Sequence, residues 1–418
     1  MSVFPTDKSV TRVDIALMAC ALFLQRFSFP FLGDTTLSLD TVAVVLILGY
    51  QFAYGRLLIQ YDRLLWFLVL AAVTVLALLL NLKNTRLTSY GLFMVLYFFF
   101  LFAHPSTNEQ YKQTLQGFQF LVLILSSLAI IQFLLQFVLD GARLIMFYGI
   151  FPDSLLPSPQ GAGGTGWNTI TRIGASSLIR SNGIFLVEAA TMAQMAAIAI
   201  LVEVLEFGRP RYLILITLAL LLAYSGTGIS VLIVALPLAV SIHRRAQKAT
   251  LLIGLFAFGA VATGMIDISV LTSRTSEFED TNTSGFVRFI SPLWMVSDLL
   301  GRASTLEIFF GKGPGSPYGE GAFYMASANT WVKVLFEYGL VGLLVFACFL
   351  GSSFRKTRCS TPVIVGVIYL YLFTQNNLLT PSVVVIMVVL CTLSGPELRR
   401  ARVHDTREYR PSLVTDTR

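Results

Sequence analysis

The chain has 418 residues, 55% of them hydrophobic and only 13% charged, with a formal net charge of +7. Soluble domains carry about 25% charged residues, so the composition excludes a soluble multidomain protein and predicts one integral membrane unit over residues 1–418. The positive charge does not indicate nucleic acid, because the basic residues are dispersed through short connectors between apolar runs and form no basic domain.

A helix crosses the hydrocarbon with about 20 apolar residues. Candidate spans in chain order are 13–32, 40–58, 64–81, 88–103, 117–139, 184–204, 210–224, 228–242, 250–271, 331–352, 361–375 and 379–393. The seventh and eighth are short and meet at Ser225-Gly-Thr-Gly228, and the last two meet near Gln375-Asn-Asn377. Either pair reads as a tilted or a partly re-entrant hairpin. The first run lacks a small-residue cleavage site and is expected to be retained as a span. The predicted fold is an all-α polytopic membrane protein with about 12 transmembrane helices and two large outward loops.

Lysine and arginine set the orientation. With the N-terminus inside, the inward connectors and the tail 394–418 hold 19 of the 30 Lys and Arg, and the outward segments hold 10. The inward connectors are short and dense in charge, which is the positive-inside pattern. Both termini are therefore expected in the cytoplasm. Arg26, inside the first span, is the remaining cation.

The first outward loop covers 140–183. Its front half, Leu144-Ile-Met-Phe-Tyr-Gly-Ile-Phe151, is apolar enough to lie in the membrane interface. Its back half, Pro157 to Trp167, is rich in Pro, Gly and Ser. The second outward loop covers 272–330. Within it Phe289, Leu293, Val296 and Leu300 stand at helical spacing, predicting a short amphipathic helix on the membrane surface with Arg288 near its start. A Gly/Pro loop, 311–321, follows.

Two arginines stand out on these loops. Arg180 and Arg288 each lie beside a glycine-containing turn. A guanidinium keeps its charge and presents a planar fork that fits phosphate oxygens; the alternative is that each arginine snorkels to the headgroups. Arg172, Arg274 and Arg302 are further cations of the same loops. Glu188 falls just inside the sixth span, where a carboxylate is costly and a functional candidate; it would pair with Arg180 or act as a base. Glu320 is a second carboxylate, on the second loop. Gly311-Lys-Gly-Pro-Gly315 departs from the Walker A spacing and offers a close backbone approach to a phosphate or sugar, or a plain turn. Lys333 and Glu337, at i and i+4, read as a helix-stabilising pair. His104, His243 and His404 all fall on the inward side, and no cluster of His, Asp and Cys ligands indicates a metal or another cofactor. The four cysteines imply no disulfide framework.

These loops resemble those of the O-antigen polymerase and O-antigen ligase superfamily. The resemblance rests on Arg180-x-x-Gly183 with Glu188, on Ser225-Gly-Thr-Gly-Ile229, on Ser284-Gly-Phe-Val-Arg288, and on Gly311-x-Gly-x-Gly315 running into Asn329 and the stretch to Gly342. It covers about residues 175–350. It implies transfer of a glycan from an undecaprenyl-diphosphate carrier, without metal or cofactor, to another lipid-linked unit or to lipid A–core. By this resemblance the chain would sit in a bacterial inner membrane with its two large loops periplasmic, and Arg180 and Arg288 would hold the donor diphosphate; Arg172 and Arg302, on the same loops, are their candidate partners. Glu188, or else Glu320, would be the general base. Gly183, Gly313, Gly315 and Asn329 would line the substrate loops. The place of the family's histidine is taken by Ala328, which points to a polymerase of O-antigen or exopolysaccharide rather than a ligase. The partners implied are the lipid-linked oligosaccharide, membrane lipid and a chain-length regulator. A twelve-span transporter, or a flippase for the same lipid-linked units, is the rival class; the chain lacks the matching halves such a transporter usually shows.

Overall fold

A computed structural model describes residues 8–32, 35–139, 151, 155, 178–263, 284–316, 328–355, 357–374 and 377–395. The molecule is mostly helical, at 78%. Among the described residues four helices are long and apolar enough to cross a membrane: Tyr61–Leu80, Asn108–Leu135, Ala189–Phe207 and Thr330–Phe354. Six shorter apolar helices accompany them.

In chain order the main helices are α1 (Lys8–Phe23), α2 (Leu39–Ala53), α3 (Tyr61–Leu80), α4 (Leu87–Phe98), α5 (Asn108–Leu135), α6 (Ala189–Val202), α7 (Pro210–Leu222), α8 (Gly226–Ile242), α9 (Arg244–Ala262), α10 (Ser284–Phe289), α11 (Ser291–Arg302), α12 (Thr305–Phe310), α13 (Thr330–Phe354), α14 (Thr361–Tyr369) and α15 (Pro381–Val388). Each of the twelve apolar stretches carries a helix. Their ends follow local chemistry. The Thr107 hydroxyl accepts from Gln110 N while the Gln110 side chain accepts from Thr107 N, a capping box that starts α5. Prolines occupy the first turn of α7, α11, α14 and α15, where the missing N–H has no helical partner to lose.

Short strands add to the expected all-helical fold. β1 (Ser28–Leu32) and β2 (Thr35–Ser38) pair antiparallel. At another edge β3 (Leu58–Ile59), β4 (Phe102–Pro105) and β5 (Ser394–Gly395) form a three-stranded sheet in that order, β3–β4–β5. Hydropathy reads 28–32 and 102–103 as the ends of spans, because strands built from Phe, Leu and Ala are as apolar as a helix end.

The helix α6 forms the centre of the bundle: all fourteen of its residues are buried. It carries six alanines, which lets neighbouring backbones come close. Gly228 of α8 uses that space; a Cβ on it would stand 2.3 Å from Ala193 O. The stretch Ser225–Gly228 is therefore a close helix–helix contact, and α7 and α8 are joined by the short turn Ala223–Ser225 with Tyr224 at φ 45°.

The segment expected as one amphipathic helix is two, α10 and α11, with Pro292 in the first turn of the second. Arg288 lies in the last turn of α10 instead of near a helix start. The face of α11 turned to the protein is Pro292, Met295 and Leu299, packed on α13 with Val332, Leu335 and Phe336. Of the stripe read from spacing, Phe289, Leu293 and Leu300 are exposed; Val296 packs partly against the core. The apolar sector of α11 is wider than the strip that α13 covers, so Leu293 and Leu300 fall on its uncovered edge, next to the polar face with Ser297 and Asp298.

Candidate functional site

The residues from Leu178 to Glu188 form a loop tied down by side chains. Ile179 N donates to Gln136 Oε1 at 2.7 Å, and Asn182 N to Gln132 Oε1 at 3.0 Å. Ser181 N donates to Leu222 O at 3.2 Å. Arg26 Nε and Asn182 Nδ2 both donate to Leu186 O, each at 2.9 Å, and Val187 N donates to Gln25 Oε1 at 3.3 Å. Arg26 is 1% exposed; this buried cation, unexplained by hydropathy, positions the loop. Gly183 takes φ 71°, and a Cβ there would stand 3.0 Å from Leu125 O. The next residue, Ile184, also has a positive φ, 69°. A β-branched residue in that region is strained, and such strain persists only where the surroundings over-determine it. Here Asn182 Oδ1 accepts from Ile184 N at 3.1 Å.

This loop carries Arg180 near its start and Glu188 at its end. Glu188 was expected inside a span; α6 begins one residue later, so Glu188 is its N-cap residue and its side chain is 56% exposed. The extended loop keeps the carboxylate at the helix entrance, where water reaches it. Its side chain makes no cap hydrogen bond. Glu188 Oε2 instead lies 3.8 Å from Arg288 Nη2, whose side chain is 16% exposed. At that distance the contact is an ion pair and not a hydrogen bond. Two candidates from separate loops thus meet.

The other candidates are distributed differently. Arg302 is 85% exposed and pairs with Asp298 at 3.2 Å, four residues earlier on α11. Asp298 also lies 3.5 Å from Lys312 Nζ, which sits 4.6 Å from the Phe336 ring. Arg172, Arg274 and Glu320 lie outside the described residues, as does most of the first loop.

The glycine loop has a use that its spacing did not show. The helix α13 is interrupted at Gly339, with φ 70° and ψ −171°. The break releases carbonyls from the helical ladder, and the loop fills it: Lys312 N donates to Phe336 O at 2.9 Å and Gly313 N to Glu337 O at 3.0 Å. Asn81 Nδ2 donates to Gly311 O at 3.1 Å and Arg86 N to Pro314 O at 2.9 Å. Gly313 and Gly315 approach Asn81, Thr85 and Arg86. Of the two readings of this loop, the described geometry shows the turn: the glycines approach the protein's own chain, and the amides of Lys312 and Gly313 donate to backbone carbonyls.

Beneath that loop Lys333 Nζ and Glu337 Oε1 are 3.7 Å apart, and each side chain is 1% exposed. A surface helix pair is worth little; a wholly buried one is a structural commitment, since removing one partner leaves a charge without compensation. Asn329, the N-cap residue of α13, is 5% exposed and makes no side-chain cap bond. Its neighbour Thr330 accepts at Oγ1 from Asn377 N at 2.9 Å. Composition flagged the arginines but passed over Gln25, Gln132, Gln136 and Asn182. Gln132 and Gln136 stand at i and i+4 in an apolar helix, a polar stripe whose spacing is the signal. No protein-family model and no curated protein matches the chain.

Proposed function

We propose that the protein is a membrane glycosyltransferase that polymerises glycan repeat units carried on a polyprenyl diphosphate, working at the face where Glu188 and Arg288 meet. The observation that carries this reading is the convergence of a half-exposed carboxylate and a guanidinium from segments a hundred residues apart. The apolar helices support the membrane setting, and twelve spans with both termini in the cytoplasm would put this face in the periplasm. Transfer from a lipid diphosphate needs no nucleotide there. As the glycosyl–phosphate bond breaks, negative charge grows on the leaving diphosphate. Arg288, with Arg180 on the adjoining loop, would stabilise that charge in a preorganised setting. Glu188, being partly hydrated, would take the proton from the acceptor hydroxyl. The Gln-tethered loop would hold both groups in register. Ala328, buried in the core beside α13, offers no histidine at that place, which favours polymerase over ligase.

The test is reconstitution in liposomes with a synthetic polyprenyl-diphosphate oligosaccharide and analysis of the product ladder. Polymer formation by the native protein and accumulation of single units with Arg288→Ala supports the reading. Vesicle transport of the lipid-linked unit without polymer would overturn it.

One observation favours the rival transporter class: α13 is broken inside its apolar run, a device common in transporters. The released Phe336 and Glu337 carbonyls, however, are taken by the Lys312 and Gly313 amides. The buried cations Arg26 and Arg63 likewise donate to backbone carbonyls.

A further inference from the structure

We propose that the cavity beside the three-stranded sheet is a binding site for a phosphoryl anion. This site lies on other elements than Glu188 and Arg288 and does not depend on the glycosyl-transfer reading.

The sheet brings two buried basic side chains together. Arg63, at the start of α3, is 4% exposed. Its Nη1 donates to Phe100 O and Phe102 O at 3.1 and 3.0 Å, and its Nη2 to Thr392 O at 3.0 Å. These bonds tie β4 to the chain leading into β5. Among the described residues Arg63 forms no ion pair, so its charge is met by carbonyl dipoles alone.

His104, on β4, is 5% exposed. Its Nε2 lies 3.1 Å from Asp14 Oδ1, and Asp14 also accepts from Thr114 Oγ1 at 2.9 Å. The carboxylate fixes the ring, with Nε2 as the donor toward it. The second nitrogen, Nδ1, is buried and has no hydrogen-bond partner among the described residues. A buried polar atom left so carries a desolvation cost that a ligand atom would relieve.

Arg63 and His104 line one cavity of about 80 Å³, together with Gln60, Asp62, Ser352 and Arg355. Two guanidinium groups against the Asp62 carboxylate leave the lining cationic. The Arg355 side chain is exposed at its mouth. An arginine fork matches tetrahedral phosphate oxygens. The cavity has room for one phosphoryl group and not for an alkyl chain. Its ligand is thus a free phosphate or the phosphate of a lipid headgroup whose tails stay in the bilayer.

The experiment uses the full-length protein and two probes. Inorganic phosphate is titrated in neutral detergent against the thermal midpoint. Nanodiscs of phosphatidylcholine with or without phosphatidylglycerol are compared by native mass spectrometry. A saturable phosphate-dependent rise in midpoint supports a free-phosphate site; retention of phosphatidylglycerol alone supports a headgroup site. In either case Arg355→Gln and His104→Gln are expected to bind roughly tenfold more weakly, about 1.4 kcal/mol, while Lys83→Gln binds as the native protein. Arg355 is exposed, so that variant folds even if His104→Gln does not. Equal binding by the native protein and Arg355→Gln, or no binding of either probe, overturns the proposal.

Discussion

Gly311 and Glu337 meet backbone to backbone: a Cβ on Gly311 would stand 2.3 Å from the Glu337 carbonyl carbon. Gly339 makes the reciprocal contact, its Cβ position being 2.3 Å from the Phe309 carbonyl carbon. Both glycines have positive φ, 77° and 70°. Either Gly→Ala change therefore meets a clash and an unfavourable backbone region together, and is expected to cost about 3 kcal/mol or more. Gly301, with open space around its Cβ position, is the control; Gly301→Ala on α11 should keep or slightly raise stability. Thermal midpoints of the detergent-purified variants check the contrast.

Activity should divide the arginines. Under the proposed glycosyl transfer, Arg288→Ala and Glu188→Gln are each expected to slow polymer formation about 10²-fold, by analogy with lost donors to a developing oxyanion. Arg302→Ala removes an exposed pair with Asp298 and should change the rate by less than about threefold. Initial rates on a lipid-diphosphate donor decide it; equal loss in all three variants would sink the distinction.

The connector between α6 and α7 holds a buried carboxylate. Glu203 is wholly buried and accepts from Arg209 N, Nε and Nη2 at 2.7, 3.0 and 2.7 Å. Arg209→Ala leaves that charge without its cation and should destabilise by about 3–5 kcal/mol. Adding Glu203→Gln in the same molecule should recover much of the loss. Denaturation of the single and double variants measures the coupling, which vanishes if the pair is solvated.

A pH effect is expected at α12. Hydrogen bonds from the Ser304 backbone and hydroxyl hold the Glu307 carboxyl below its usual range. A depressed folded-state pKa gives stability that is present above the unfolded pKa and is lost as pH falls through the folded one. Ser304→Ala should cost about 1 kcal/mol near neutrality. That deficit should shrink as pH falls from about 5 toward 3, with screening at this exposed site keeping it small. A deficit that grows on acidification contradicts the assignment.

Sidedness is open to cysteine labelling. In a background without native cysteines, Lys83→Cys and Leu306→Cys should react with an impermeant maleimide on intact spheroplasts. Arg56→Cys and Lys248→Cys should react only after permeabilisation. Labelling of all four from one side would rule out the alternating topology.

The positions of the helices were legible in the sequence because hydropathy is a local property. Twenty neighbouring residues decide whether a stretch prefers lipid, and capping residues such as Thr107 and Pro210 decide where it starts. The same local logic picked out Glu188, as a costly carboxylate just inside the sixth expected span, and Arg288, as a cation of the second expected outward loop. What it could not decide was contact between distant segments. Leu293 and Leu300 lie on the uncovered edge of the broad apolar sector of α11, and only the docking of Met295 and Leu299 on α13 decides which edge the protein covers. The glycine loop reads by composition either as a close approach to a phosphate or sugar or as a plain turn, and the Lys312 and Gly313 amides serve the break at Gly339, whose existence depends on a φ value that no pattern encodes. Sequence alone thus determined where the apolar helices lie, since hydropathy is summed over neighbouring residues along the chain. Tertiary structure decided which buried polar groups answer one another, since each such bond requires two backbones to arrive within about 3 Å.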